Sequence, residues 1–173
     1  MSLEHEDVRV NYESKYPVKR QVYMQTTGKL LPRRISQILR ELGLKVWINP
    51  KQGNDIDLKV WYNDELILVG EIQNWSIGSL LSERRRNKMI SNLNEYGCRR
   101  VVIYTTLDQK SLTKFSENGI DVLEIGFQLL PKSYYDYFKA RDQIQKRKID
   151  SNSTKEEIRN MLIDYLKRSI ICI

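Results

Sequence analysis

Apolar residues recur at helical spacing from about Leu30 to Leu42, where Leu31, Ile35, Ile38, Leu39 and Leu42 fall on one side and Gly43 is placed to end the element. Pro32 is expected in its first turn. A short β-like run, Lys45-Val46-Trp47-Ile48-Asn49, leads into the polar turn Pro50-Lys51-Gln52-Gly53-Asn54. Two longer strands are expected over Ile56 to Tyr62 and Leu66 to Gln73, joined by Asn63-Asp64-Glu65. A second helix is expected from Ser79 to Tyr96, with Met89, Leu93 and Tyr96 inward and Gly97 as its stop. A strand over Arg100 to Thr105, a helix over Gln109 to Glu117 closed by Asn118-Gly119, and a strand over Ile120 to Ile125 complete the series. Strands interleaved with helices in this order imply an α/β fold whose mixed sheet carries helices on both faces.

The end of the chain has another character. An aromatic and basic stretch from Tyr134 to Lys139 continues through Lys146-Arg147-Lys148 to a polar break at Asp150-Ser151-Asn152. Ser153 and Glu156 have capping-box spacing, and Ile158, Met161, Leu162, Tyr165 and Leu166 form one apolar stripe. That stripe must be covered by its own domain or by a second copy of the chain, a homodimer through the C-terminal helix. The division expected is an N-terminal segment over 1–29, an α/β core over 30–130, and a C-terminal helical extension over 131–173 packed on the core or on a partner subunit.

Length and composition fit one sizeable core: 173 residues, 40% apolar and 29% charged. No run reaches the eighteen or so apolar residues of a membrane span, and MSLEHEDVRV lacks the apolar centre of a signal peptide, so a cytoplasmic protein is expected. Cys98 and Cys172 are too few for a disulfide framework and lack zinc-binding spacing. The single histidine, His5, lies near the N-terminus, which argues against histidine-dependent triads and histidine metal sites, and no phosphate-cradling glycine motif is present. A net charge of +7 points towards a polyanionic partner, nucleic acid in particular, without proving one.

Chemistry concentrates where carboxylates interrupt the two long strands. Alternation places Asp55, Asp57 and Lys59 on one face and Ile56, Leu58, Val60 and Tyr62 on the other, while Glu71 and Gln73 share a face opposite Gly70 and Ile72. A three-residue loop sets Asp57 opposite Glu71 and Asp55 opposite Gln73. A two-residue loop would mix polar and apolar residues on both faces, so the longer loop is preferred. Carboxylates facing each other across a strand pair repel unless a cation lies between them, and Mg²⁺ or Mn²⁺ suits such oxygen ligands.

This segment, Asp57 followed after thirteen residues by Glu71-Ile72-Gln73, resembles the PD-(D/E)xK nuclease superfamily of restriction enzymes and archaeal Holliday-junction resolvases. The resemblance spans roughly Leu30 to Ile125 and implies a restriction-endonuclease-like mixed β-sheet flanked by helices. It implies that Asp57 and Glu71, with Asp55 and the Ile72 carbonyl assisting, hold the metal, and that Gln73 takes the place of the motif lysine beside the attacking water. Gln73 cannot neutralise charge developing at phosphorus, so a compensating cation is expected from Lys59 or Lys88. Glu41 stands near the end of the first helix and is not assigned the extra ligand role that some resolvases give to that helix.

Arg84, Arg85, Arg86 and Lys88 follow on the next helix, and with Lys59 they are the candidate phosphate contacts; Arg99-Arg100 open the next strand. Trp75 is expected in the core. The function implied is a Mg-dependent endonuclease acting on DNA. The alternatives are a nucleic-acid-binding protein on a nuclease scaffold without turnover, and an interaction subunit recruiting partners through its last helix.

Overall fold

A computed structural model describes residues 15–50, 55–76 and 79–169. His5, Cys172 and most of the 50–54 turn lie outside the described residues. Among the described residues, five helices and a five-stranded mixed sheet make up the α/β architecture, with a two-stranded sheet beside it. In chain order the elements are α1 (Arg20–Glu41), β1 (Lys45–Ile48), β2 (Leu58–Tyr62), β3 (Glu65–Gln73), α2 (Glu83–Asn94), β4 (Arg99–Tyr104), α3 (Gln109–Glu117), β5 (Asp121–Glu124), β6 (Gln128–Leu130), α4 (Lys132–Lys139), β7 (Arg147–Ile149) and α5 (Asn152–Ser169). The main sheet runs β1-β2-β3-β4-β5. Its first two pairings are antiparallel and its last two parallel.

Helix α1 is longer than its apolar run suggested and crosses the boundary expected at residue 29. Its buried stripe extends back through Thr27 to Tyr23 at steps of four, and Thr27 Oγ1 donates to the Tyr23 carbonyl at 2.7 Å. Pro32 therefore lies in mid-helix rather than in the first turn. Leu42 caps the helix and Gly43, at φ +88°, turns the chain into β1.

The hairpin between β2 and β3 corrects one expectation while keeping its outcome. Tyr62 pairs with Glu65, so the loop is only Asn63-Asp64, both with positive φ (48° and 64°), as a tight hairpin turn of mirrored type requires. Ile67 then bulges, because Trp61 pairs with Leu66 and Val60 with Leu68. The bulge restores the register expected of a three-residue loop, and Leu58 faces Gly70. A Cβ at Gly70 would lie 3.0 Å from both Val101 Cγ1 and the Val101 carbonyl oxygen, so this crossing has no room for a side chain.

Two cores flank the sheet. Leu58, Val60, Leu68, Ile72, Val101 and Ile103 pack against α1 and α5, whereas Val69, Val102 and Tyr104 pack against α2 and α3. Ile56 belongs to the second core, not to the face of Leu58 and Val60, because it precedes the strand and alternation does not reach it.

The stripe of α5 is buried in the first core: Ile158, Leu162, Tyr165 and Leu166 pack with α1 and the sheet, and Met161 is partly buried against them. Ion pairs from Lys155 (2.7 Å) and Arg159 (3.5 Å) to Glu41, and from Arg34 to Asp150 (2.6 Å), fix this end of the chain to α1. The cap of α5 is Ser151 with Thr154, whose Oγ1 accepts from the Ser151 N–H at 2.9 Å, rather than Ser153 with Glu156.

One buried side chain joins the end of β3 to its neighbours. Asn74 Nδ2 donates to the carbonyls of Thr27 (2.7 Å) and Leu129 (2.9 Å), and its Oδ1 accepts from the Leu129 N–H (2.9 Å). Asn74→Ala removes three buried hydrogen bonds to backbone groups, and loss of about 3 kcal/mol is expected in denaturant unfolding. A variant as stable as the parent would show that the tie carries no weight.

Candidate functional site

Glu71 and Gln73 point from the last turns of β3 towards the α2 side of the sheet, alternating with Gly70 and Ile72. Both are almost fully buried, at 6% exposure each. Asp57 stands one residue before β2, where the register brings it beside Glu71, and its Oδ2 accepts the Ile72 N–H at 2.8 Å. The expected meeting of Asp57 with Glu71 is thus present, with Gln73 two residues on along the same face of β3.

The pair is electrostatically costly. Burial first, then the charge of Asp57 and a hydrogen bond to it, push the Glu71 carboxyl up to about 10, against a partial opposing effect from Arg85. Glu71 therefore holds a proton at neutral pH unless a cation takes its place. Two carboxyl groups and the neighbouring Gln73 amide form a donor set of hard oxygens, which suits Mg²⁺ or Mn²⁺.

Asp55 stands apart from the pair. Its Oδ1 caps the Ile56 N–H (2.7 Å) and accepts from Tyr96 Oη (3.4 Å), and its Oδ2 lies 3.8 Å from Lys59 Nζ. Among the described residues no group of three His, Cys, Asp or Glu side chains is placed to hold a metal ion. Lys59 is likewise engaged away from the pair, with Asp55 and over the rings of Trp47 (4.9 Å) and Tyr96 (5.4 Å). Lys59 consequently supplies no charge at Gln73.

The three consecutive arginines separate as a helix requires. Ser82 caps α2 by accepting the Arg85 N–H at 3.2 Å, and Met89 and Leu93 face the core. Arg86, three residues before Met89, shares that inward side; it is 4% exposed and its Nη1 donates to Ser111 Oγ at 3.3 Å. It is thus a structural residue, and the Met89–Leu93 spacing already implied as much. Arg85 turns towards the end of β3: its Nη2 lies 3.4 Å from Gln73 Oε1 and its guanidinium 4.9 Å from the Trp75 ring. Arg84 and Lys88 line the same cleft. Arg99 and Arg100 are engaged elsewhere, Arg99 with Asp121 at 2.7 Å and Arg100 with Asn94 and the carbonyls that follow α3.

The pair lies in a cleft of about 1960 Å³, larger than the few hundred to about 1,000 Å³ typical of small-molecule pockets. Its site lies at the carboxyl end of β3, where open α/β sheets place ligands. One wall is α2. The other is α1, whose exposed Lys29, Arg33 and Arg40 face the cleft. Sequence reading missed this wall, although positions 29, 33, 36 and 40 repeat at helical spacing opposite the apolar stripe. At the far end, the hydroxyls of Tyr23 and Ser36, Gln128 Oε1 and Arg147 Nε are buried without a hydrogen-bond partner, and all four residues line the cleft.

No family model, curated protein or solved structure matches the chain. Among the described residues no helix is long and apolar enough to cross a membrane.

The raised pKa of Glu71 has a measurable consequence. In the unfolded chain the group ionises near 4.5, whereas the folded chain keeps its proton up to about 10, so stability falls as pH rises across that window. With divalent cations chelated, Glu71→Gln should melt higher than the parent at about pH 8, and its melting temperature should change less between about pH 5 and pH 9. Parallel melting curves for the two proteins would contradict the assignment.

Proposed function

We propose that this chain is a metal-dependent endonuclease that hydrolyses phosphodiester bonds of DNA, with Asp57 and Glu71 as the residues that hold Mg²⁺ or Mn²⁺. The observation that carries this reading is the carboxyl pair in contact, Glu71 buried and Asp57 half-buried, in a cleft with cations on both walls. A carboxyl pair alone is common, and a basic cleft alone is common; together they suit a polyanion and the cation that activates it.

The order of elements supports the finer assignment to a restriction-endonuclease-like fold. A helix, three antiparallel strands, a helix and a strand parallel to the third follow one another in α1 to β4. Asp57 just before β2 and Glu71-Ile72-Gln73 at the end of β3 resemble the PD-(D/E)xK arrangement of an Asp followed by an E-x-K tripeptide. Gln73 departs from that motif, and Asp55 assists from the rim rather than as a direct ligand.

A bound Mg²⁺ would act as Lewis acid towards the phosphate and lower the pKa of an attacking water. The chain's own residues do the remainder. Asp57 and Glu71 would hold that ion through their carboxylate oxygens. Arg84 and Lys88 on α2, with Lys29 and Arg33 on α1, hold the phosphate backbone on either side of the floor. The neutral Gln73 favours one second reading, a protein that binds nucleic acid on this scaffold without cutting it.

Plasmid nicking separates the two. With Mg²⁺ or Mn²⁺ the parent should nick supercoiled DNA, and Asp57→Ala should lower the rate by about 100-fold or more, since even supporting residues around a metal are worth 10–100-fold. Should the parent cut neither duplex, single-stranded nor branched DNA nor RNA, while Asp57→Ala binds DNA as well as the parent, the binding reading replaces the enzyme.

A further inference from the structure

The lysine of the E-x-K pattern is missing at Gln73, yet positive charge is not missing from that place. Arg85 reaches it from α2: its Nη2 lies 3.4 Å from Gln73 Oε1, and its guanidinium stands 4.9 Å from the Trp75 ring. An arginine has only donors, so the amide atom facing it must be the oxygen. Gln73 Oε1 thus takes Arg85 as one partner and keeps a second lone pair. The contact gives the glutamine a further role, that of positioning an arginine beside the carboxyl pair.

Lys59 and Arg86 do not offer the same placement. Lys59 is engaged with Asp55, Trp47 and Tyr96, and Arg86 is buried against Ser111 on the far side of α2. Arg85 meets the E-x-Q tripeptide through Gln73, and its backbone is fixed by the Ser82 cap. A guanidinium keeps its charge throughout the accessible pH range and has five donors, of which this contact uses one.

We propose that Arg85 is a catalytic residue that supplies from α2 the positive charge lost with the motif lysine, donating to a non-bridging oxygen of the scissile phosphate, with Gln73 as its positioning residue. The proposal rests on the reading of Asp57 and Glu71 as a cleavage site. In the step concerned, a water oxygen bonds to phosphorus as the bond from phosphorus to the leaving sugar oxygen breaks. The water gives its proton to solvent, the leaving oxygen takes one from solvent, and nothing is oxidised or reduced. Negative charge grows on the phosphoryl oxygens in that step, and a donor fixed at that point stabilises it more than it stabilises the bound substrate.

The test is single-turnover cleavage of a short DNA duplex with Mn²⁺, alongside fluorescence anisotropy of the same duplex with Ca²⁺ and a melting curve for each protein. Arg85→Ala should lower the cleavage rate at saturating enzyme by about 100-fold, as loss of one such donor does, while the affinity for the duplex falls only a few-fold. Arg85→Lys should keep a substantial part of the rate. The decisive variant is the double one: Gln73→Lys combined with Arg85→Ala should recover at least tenfold over Arg85→Ala alone, because it returns charge to the same place from β3. Arg85→Ala cutting at the parental rate, or a double variant that binds and folds but cuts no faster than Arg85→Ala, would overturn the role of Arg85 and leave the cleavage site standing. A parent that cuts nothing would overturn both.

Discussion

The end of β3 is where the molecule is joined, and one buried amide does the joining. Asn74 reaches α1 through the Thr27 carbonyl and β6 through both backbone groups of Leu129. Because β3 is the central strand, whatever fixes its end also fixes the two side chains just before it, Glu71 and Gln73, relative to the α1 wall of the cleft. A polar residue this deeply buried is costly unless fully paired, and three good hydrogen bonds make it a specific joint rather than a weak point.

The same strand end carries an arrangement that works against stability. Two carboxyl groups meet where Glu71 is buried, and Glu71 responds by holding a proton far above its ordinary range. Nothing in packing requires an acid there: Val69, two residues earlier on the same face, shows that an apolar residue suits that side of the sheet. Retaining an uncomfortable pair on the floor of a basic cleft is the physical basis for the nuclease reading. The two walls suit an extended polyanion, since α1 and α2 bring cations from elements more than forty residues apart in the chain.

Much of this was legible in the sequence. The mixed sheet follows from the order of apolar runs, and the meeting of Asp57 with Glu71 follows from keeping each face of the hairpin of one polarity. That register came through an unexpected route, a two-residue turn plus a bulge at Ile67, because bulges leave no clear mark in an alternating pattern. Pro32 concealed the first half of α1: a proline reads as a helix start, whereas here Tyr23 and Thr27 continue the stripe past it. The roles of the three arginines were open only while the phase of α2 was ignored, since Met89 and Leu93 place Arg86 inward. That Arg85 meets Gln73 while Lys59 is engaged elsewhere was beyond the sequence, because it depends on the distance between α2 and the end of β3.

Cleavage at this site requires a divalent cation held by both members of the carboxyl pair. Diffraction from crystals soaked in Mn²⁺, recorded at the manganese absorption edge, examines this directly. The expected result is an anomalous peak about 2–2.5 Å from carboxylate oxygens of both Asp57 and Glu71. A cleft without any such peak at saturating Mn²⁺, or a peak bound only by Asp55 at the rim, would contradict it.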